Sequence, residues 1–231
     1  MRKKIAVIGL GHFGEYLCLK LTDSGTEVLA IDKDAEKLDQ IKDSVTQTIC
    51  LDSCDLKVLR SQGLEEFDAV VIALRDNFEE TLLTIMNLQK IGVKRIIVRA
   101  VTAQHQQILQ HLGVAEVLLP EEETAIRLAQ SLTMENIIDS FSLNDDYIII
   151  EAEAPGEYIG KTLKELELRK SFGVSLITIR RMAESKGVFG ISKKNVEKIV
   201  GLPEADTVIE RGDILVVFGP EKNIKKVFAK R

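Results

Sequence analysis

The sequence predicts an α/β protein: a doubly wound parallel sheet over its first half, then a small α+β module. Three observations carry this. Short apolar runs alternate with segments of helical period as far as residue 120. The first run, Ile5-Ala6-Val7-Ile8, leads into Gly9-Leu10-Gly11-His12-Phe13-Gly14, a G-x-G-x-x-G turn of the kind that joins a strand to a helix. After Asp139 the pattern changes to longer strands broken at Pro155-Gly156 and Gly219-Pro220.

Each element has its own signal. Gly9 permits the tight turn, Gly11 lets backbone approach a phosphate, and Gly14 lets the following helix, about Phe13 to Ser24, pack closely on the strand. A second strand, Val28 to Ile31, ends in Asp32, roughly 20 residues beyond the turn, where a ribose-binding carboxylate is expected. Asp34 to Lys42 reads as helix, Gln47 to Leu51 as a strand ending in Asp52, and Asp55 to Gln62 as a helix closed by Gly63. Phe67 to Leu74 lacks polar alternation, as a strand covered on both faces should. Helix Asp76 to Ile91 stops at Gly92, strand Arg95 to Arg99 follows, then helix Gln104 to Leu112 and strand Glu116 to Leu119. This completes a Rossmann-type domain by about residue 120. Pro120 and three acids then open a helix running to about Ile138 and mark the domain boundary. Beyond it, Tyr147 to Ala154 and Val174 to Arg180 read as strands and Thr162 to Arg169 as a short helix. Val208 to Phe218 reads as a hairpin turning at Arg211-Gly212-Asp213, and Glu221 to Ala229 as a last helix; the charged stretch Ala183 to Glu204 has no clear period.

Ligands of such sheets bind outside the carboxyl ends of the strands. That makes Asp32, Asp52, Ser53, Asp76, Asn77 and Arg99 the candidates. A carboxylate at Asp32 suits a ribose diol and repels a 2′-phosphate, which counts against NADP. Asp52 serves equally well as a ligand contact or as the cap of the next helix, and Arg99 as a phosphate contact or a structural ion pair.

Composition narrows the classes. Over 231 residues the chain is 45% hydrophobic and 29% charged, with a net charge of −5, values that suit a globular protein and argue against nucleic acid. No apolar segment approaches the ~20 residues that cross a bilayer, and the run behind Arg2-Lys3-Lys4 is too short for a secretory signal. Three cysteines, Cys18, Cys50 and Cys54, fit a reducing cytoplasm and read as buried or half-buried thiols rather than a metal or redox site.

Taken together, the glycine turn, Glu27-Val28-Leu29-Ala30-Ile31-Asp32, Pro120-Glu121, Ile126 to Leu132 and Ile209 to Gly219 resemble the TrkA/KtrA family of RCK-domain proteins, regulatory subunits of bacterial Trk/Ktr potassium uptake. The resemblance spans nearly the whole chain. It implies an RCK_N domain at 1–120, a crossover helix at 121–139 and an RCK_C (TrkA-C) domain at 140–231. It also implies a cytoplasmic subunit, peripheral to the inner face of the membrane, that senses nucleotide and gates a TrkH/KtrB-like potassium channel. Homodimers would assemble into an octameric ring. The implied ligand is ATP, ADP or NAD(H), contacted by Gly9, Gly11, His12, Phe13, Gly14, Asp32, Lys33, Asp52, Ser53, Ala73, Asn77 and Arg99. Glu121 matches an acid that in some members helps bind a divalent cation such as Mg2+ or Ca2+ between subunits, and Arg169 an arginine that contacts cyclic di-AMP in some. Many ATP-responsive members carry arginine at the position of His12; a neutral imidazole offers one donor where guanidinium offers a fork, so ATP-versus-ADP discrimination is in question.

The alternatives are a small NAD-dependent dehydrogenase and a nucleotide-responsive transcription factor. Hydride transfer usually needs a placed acid or base, yet His12 lies in the turn, His105 and His111 lie on a predicted surface helix, and the tail has no evident Lys/Tyr or His/Asp pair. The acidic charge and the lack of a recognisable DNA-binding helix pair disfavour the second. The expectation is therefore a binding module and not an enzyme.

Overall fold

β-Branched apolar runs with no polar face need cover on both sides, and the first half of the chain supplies it. The structure, a computed structural model, describes residues 2–75, 77–114, 116–133, 136–144, 146–185 and 194–228. The chain divides into two compact units, Met1–Glu121 and Glu122–Arg231.

In the first unit β1 (Lys4–Ile8), β2 (Glu27–Asp32), β3 (Gln47–Cys50), β4 (Ala69–Ile72), β5 (Ile96–Arg99) and β6 (Glu116–Leu118) form one parallel sheet in the order β3-β2-β1-β4-β5-β6. Successive residues of a strand point to opposite faces. Accordingly Ala6, Ile8, Leu29 and Ile31 join one core with Leu59, Ile85, Leu88 and Leu109, while Val7, Val28 and Ala30 join the other with Cys18, Leu38 and Ile41. The helices behind these residues are α1 (His12–Asp23) and α2 (Ala35–Ile41) on the second face. On the first lie α3 (Leu56–Arg60), α4 (Phe78–Ile91) and α5 (Ala103–His111). Asp34, Asp55, Asn77 and Thr102 cap the N-termini of α2 to α5 through side-chain oxygens. Gly92, at φ +95°, ends α4 as expected. Gly63 instead opens a short 3-10 turn at Leu64–Glu66. The chain runs outward from β1 to β3 and returns to β4, so the crevice at the carboxyl ends of β1 and β4 is the switch point where this fold takes ligands.

The second unit is antiparallel: β7 (Ile137–Ser142), β8 (Tyr147–Glu153), β9 (Ser175–Ser185), β10 (Lys194–Ile199) and β11 (Ile214–Pro220) lie in the order β10-β9-β11-β8-β7. Short helices α7 (Leu163–Leu166) and α8 (Leu168–Phe172), with the amphipathic α9 (Glu221–Phe228), bury Leu166, Leu168, Ile224, Val227 and Phe228 in its core.

Three expectations change here. Helix α6 (Pro120–Thr133) stops short of Ile138: Asn136 takes a left-handed φ of +67°, and Ile137 to Ser142 pair with β8. Val208 to Phe218 is no hairpin. Its returning strand β11 pairs on both sides, with β8 and β9. Its first arm pairs instead with the Gly160 to Thr162 segment, through Gly160 N to Ile209 O at 2.8 Å, Ile209 N to Lys161 O at 3.0 Å and a Thr162–Val208 bridge. The buried Asp213 carboxylate accepts from Glu210 N at 2.8 Å and Asp213 N donates to Glu210 O at 3.2 Å, so a local turn rather than a strand ladder joins the two arms. Finally, the charged stretch contains β10, paired with β9, while residues 186–193 of it lie outside the described residues.

Candidate functional site

The site begins with a bare backbone. Gly9 adopts φ +98°, and a Cβ at Gly14 would stand 1.9 Å from Gly9 O, so neither position tolerates a side chain. Gly11 differs: its φ is −74° and a Cβ there would meet nothing within 4 Å. Packing does not demand glycine at that point; the missing side chain leaves space in the crevice. Helix α1 starts there with no side-chain cap, so its first N–H groups and the positive end of its dipole face that space.

A cavity of about 200 Å³ opens at this point, lined by Ile8 to Gly11, Asp32, Lys33, Lys37, Leu51, Ser53, Ala73 to Arg75, Asn77 and Glu80. Asp32, 8% exposed, stands at the end of β2. Its carboxylate accepts from Leu10 N at 2.6 Å and Asp34 N at 2.9 Å, with Lys37 Nζ at 3.7 Å. Four lone-pair positions on a carboxylate leave two for a ligand diol. Asp32 thus braces the glycine turn as well as facing the cavity. Next to it on the cavity wall the Lys33 ammonium binds Glu80 at 3.0 Å.

Of the residues singled out in the sequence, Gly9, Gly11, Asp32, Lys33, Ser53, Ala73 and Asn77 line this cavity. The Ser53 hydroxyl is already bonded to Thr84 Oγ1 at 2.7 Å, and Asn77 Oδ1 accepts from Glu80 N at 3.2 Å as the α4 cap. His12 is exposed at the first position of α1. Asp52 lies apart from the main cavity, lining a neighbouring one of about 310 Å³ with Cys54 and Glu80. It does not cap α3: it closes its own turn by accepting from Cys54 N at 2.8 Å, and Asp55 is the cap. Asp76 lies outside the described residues. Among the cysteines, Cys18 is buried and Cys54 half-buried, but Cys50 is exposed, because the edge strand β3 leaves it uncovered.

Arg99 lies at the end of β5, 6% exposed, with its guanidinium carbon 5.6 Å from the Phe13 ring centroid in the first turn of α1. Its Nη2 donates to the Glu121 carboxylate, while its Nε is buried with no hydrogen-bond partner. Partial burial works against ionising Glu121, yet its own backbone N–H and the Arg99 guanidinium hold its carboxyl below the usual range; Arg75 adds to this from a greater distance. In the second unit Arg169 is exposed, donates to Ser175 Oγ at 3.3 Å from both Nε and Nη2, and borders a shallow depression with Lys164, Lys170 and Leu176. Sequence reasoning missed Lys37, Arg75 and Glu80. Lys37 sits one helical turn beyond the residues flanking Asp32, a spacing that could have found it; the other two carry no local signal.

The TrkA-N domain family matches residues 5–120. Over its full length the chain is 32% identical to the Ktr system potassium uptake protein C of Bacillus subtilis, spanning 98% of that protein. It is 29% identical to the Ktr system potassium uptake protein A of the same organism over 97% of this chain and 95% of that one. The fold matches the GsuK channel bound to NAD with a TM-score of 0.63 at 17% identity, covering 98% of this chain but 39% of the larger one. Among the described residues no helix is long and apolar enough to cross a membrane. With a TrkA-N domain built round an open glycine turn and full-length relatives in the Ktr systems, the chain belongs to the TrkA/KtrA family.

Proposed function

We propose that this chain is a nucleotide-sensing regulatory subunit of a membrane potassium-uptake channel. One observation carries the reading: the cavity joins an uncapped, glycine-lined helix start to a buried carboxylate that keeps two lone-pair positions open, the complement of a phosphate chain and a ribose diol. The α1 N–H groups and the backbone of Gly9 and Gly11 hold the phosphates, with His12 and Phe13 at their edge, and Asp32 holds the sugar. Lys33, Ser53, Ala73 and Asn77 form the walls, and Asp52 the outer rim. The ligand is an adenine nucleotide, ATP or ADP or NAD(H). The relatives named as potassium uptake proteins support the rest.

In this reading residues 1–120 bind nucleotide, 121–139 cross over to a neighbouring copy, and 140–231 form an RCK_C domain. Dimers assemble into an octameric ring at the cytoplasmic face of a TrkH/KtrB-like channel subunit. A ligand that prefers one ring shape shifts the equilibrium between shapes and gates the channel. Glu121 offers a ligand to Mg2+ or Ca2+, and the basic depression at Arg169 suits the phosphates of cyclic di-AMP. No residue is assigned a catalytic role.

The test is calorimetric titration of the purified chain with ATP, ADP, AMP and NADH, with its mass in solution followed by light scattering. Binding of at least one nucleotide by an oligomer whose assembly responds is expected. A monomer indifferent to all four refutes the proposal.

A further inference from the structure

Two lysines line the cavity close to Asp32, and they are placed differently. Lys33 follows β2 directly, and its ammonium is committed: it donates to both Glu80 oxygens, at 3.0 and 3.2 Å. Lys37 lies in α2, one turn from the capping Asp34. Helical side chains tilt back towards the N-terminus, which carries its stem down to the end of β2. Its ammonium stands 3.7 Å from Asp32 Oδ2, with the side chain 44% exposed, and it lines the same cavity as Gly9 and Gly11. That separation makes an ion pair but exceeds a hydrogen bond, so among the described residues the three ammonium donors stay available. The Asp32 carboxylate can only accept, and it already takes Leu10 N and Asp34 N.

We infer that Lys37 is a direct contact for the ligand's sugar and, with Asp32, sets its specificity for a free ribose hydroxyl. This rests on the proposed nucleotide site and adds to it a residue that reads the sugar. A hydroxyl is a donor and an acceptor at once. Donating to Asp32 leaves its oxygen lone pairs to be filled, and an ammonium within ion-pair distance of the same carboxylate is placed to fill them. The pair satisfies both halves of a hydroxyl, where the carboxylate alone satisfies one. A deoxy sugar offers neither half, so loss of Lys37 costs only those ligands that carry the hydroxyl. A 2′-phosphate suits the ammonium but meets the Asp32 carboxylate, so the pair selects against it.

The test is calorimetric titration of the full chain with ATP and 2′,3′-dideoxy-ATP, comparing wild type, Lys37→Met, Asp32→Asn and the double variant. Lys37→Met removes a half-exposed charge whose pairing contributes little to stability, so the variant folds. Its affinity for ATP should fall about tenfold, the scale of one hydrogen bond from a charged donor, while that for dideoxy-ATP is unchanged. An equal loss for both compounds, or none for either, assigns Lys37 at most to distant attraction of the phosphates and overturns the inference while leaving the nucleotide site standing. In the Asp32→Asn background Lys37→Met should still lower the ratio of the two affinities; no further change there means that Lys37 acts only by orienting Asp32, and refutes the direct contact. Wild type that binds NADPH more tightly than NADH puts Lys37 on a 2′-phosphate instead, which also overturns the inference. If wild type binds no adenine nucleotide, the functional proposal falls and this inference with it.

Discussion

Replacing Asp32 by alanine separates two roles of one side chain, the bracing of the glycine turn and the proposed contact with a ribose. The carboxylate is 8% exposed and accepts from Leu10 N at 2.6 Å and Asp34 N at 2.9 Å. Truncation strands both N–H groups, one of them in the glycine turn. Hydrogen bonds to a charged group contribute about 1.5–3 kcal/mol each, but water enters the opened crevice, so a loss of about 2 kcal/mol is expected. For a unit of this size that lowers Tm by roughly 5–10 °C. Nucleotide binding suffers separately. In the proposed site two ribose hydroxyls lose a charged acceptor, about 3 kcal/mol together, and affinity should fall about 100-fold. Calorimetric titration with ADP and NADH, well below the Tm of the variant, measures the second effect, and thermal unfolding measures the first. Unchanged affinity removes Asp32 from the site, and an unchanged Tm refutes the bracing role.

Other consequences are as direct. Gly14→Ala puts a methyl 1.9 Å from Gly9 O, so the turn must open; a loss of about 3 kcal/mol or more is expected, read in the urea midpoint, and a midpoint within error of wild type contradicts the packing described. Asp213, fully buried, accepts from Arg181 Nε at 2.7 Å, Arg181 Nη2 at 2.8 Å and Glu210 N at 2.8 Å. Asp213→Ala removes the bidentate acceptor of a half-buried guanidinium, which keeps only Glu210 and Val208 O, and should destabilise the second unit by about 3 kcal/mol, with a loss below 1 kcal/mol in denaturant titration counting against it. Burial, helped by Glu15, pushes the Cys18 thiol up to about 12, so it stays protonated far above neutral pH, whereas Cys50 is exposed. Mass spectrometry of iodoacetamide-treated native protein at pH 8 should show Cys50 modified and Cys18 untouched; early labelling of Cys18 contradicts its burial.

Much of the first unit was legible because its signals are local. The runs at Ile5 to Ile8 and Ala69 to Ile72 are apolar on both faces since both are central strands, and Gly9, Gly14 and Gly92 stand where φ or close approach excludes a side chain. Asp32 could be placed by counting from the turn. The second unit was less legible because its strands pair across long separations: Thr162 with Val208, and β11 with both β8 and β9. An apolar run ending in Arg-Gly-Asp looks like half a hairpin until the partner strand is known.

The sequence by itself determined a parallel sheet, a glycine turn at the end of its first strand and one carboxylate at the end of its second. These follow from side-chain period and glycine spacing, which act within a few residues. Only the tertiary structure decided that Asp32 ties down Leu10, that Arg75 enters the cavity, and that Arg99 faces Phe13 while bonded to Glu121. Each of these joins elements that meet only once the sheet has closed in its final strand order, and no local pattern encodes that order.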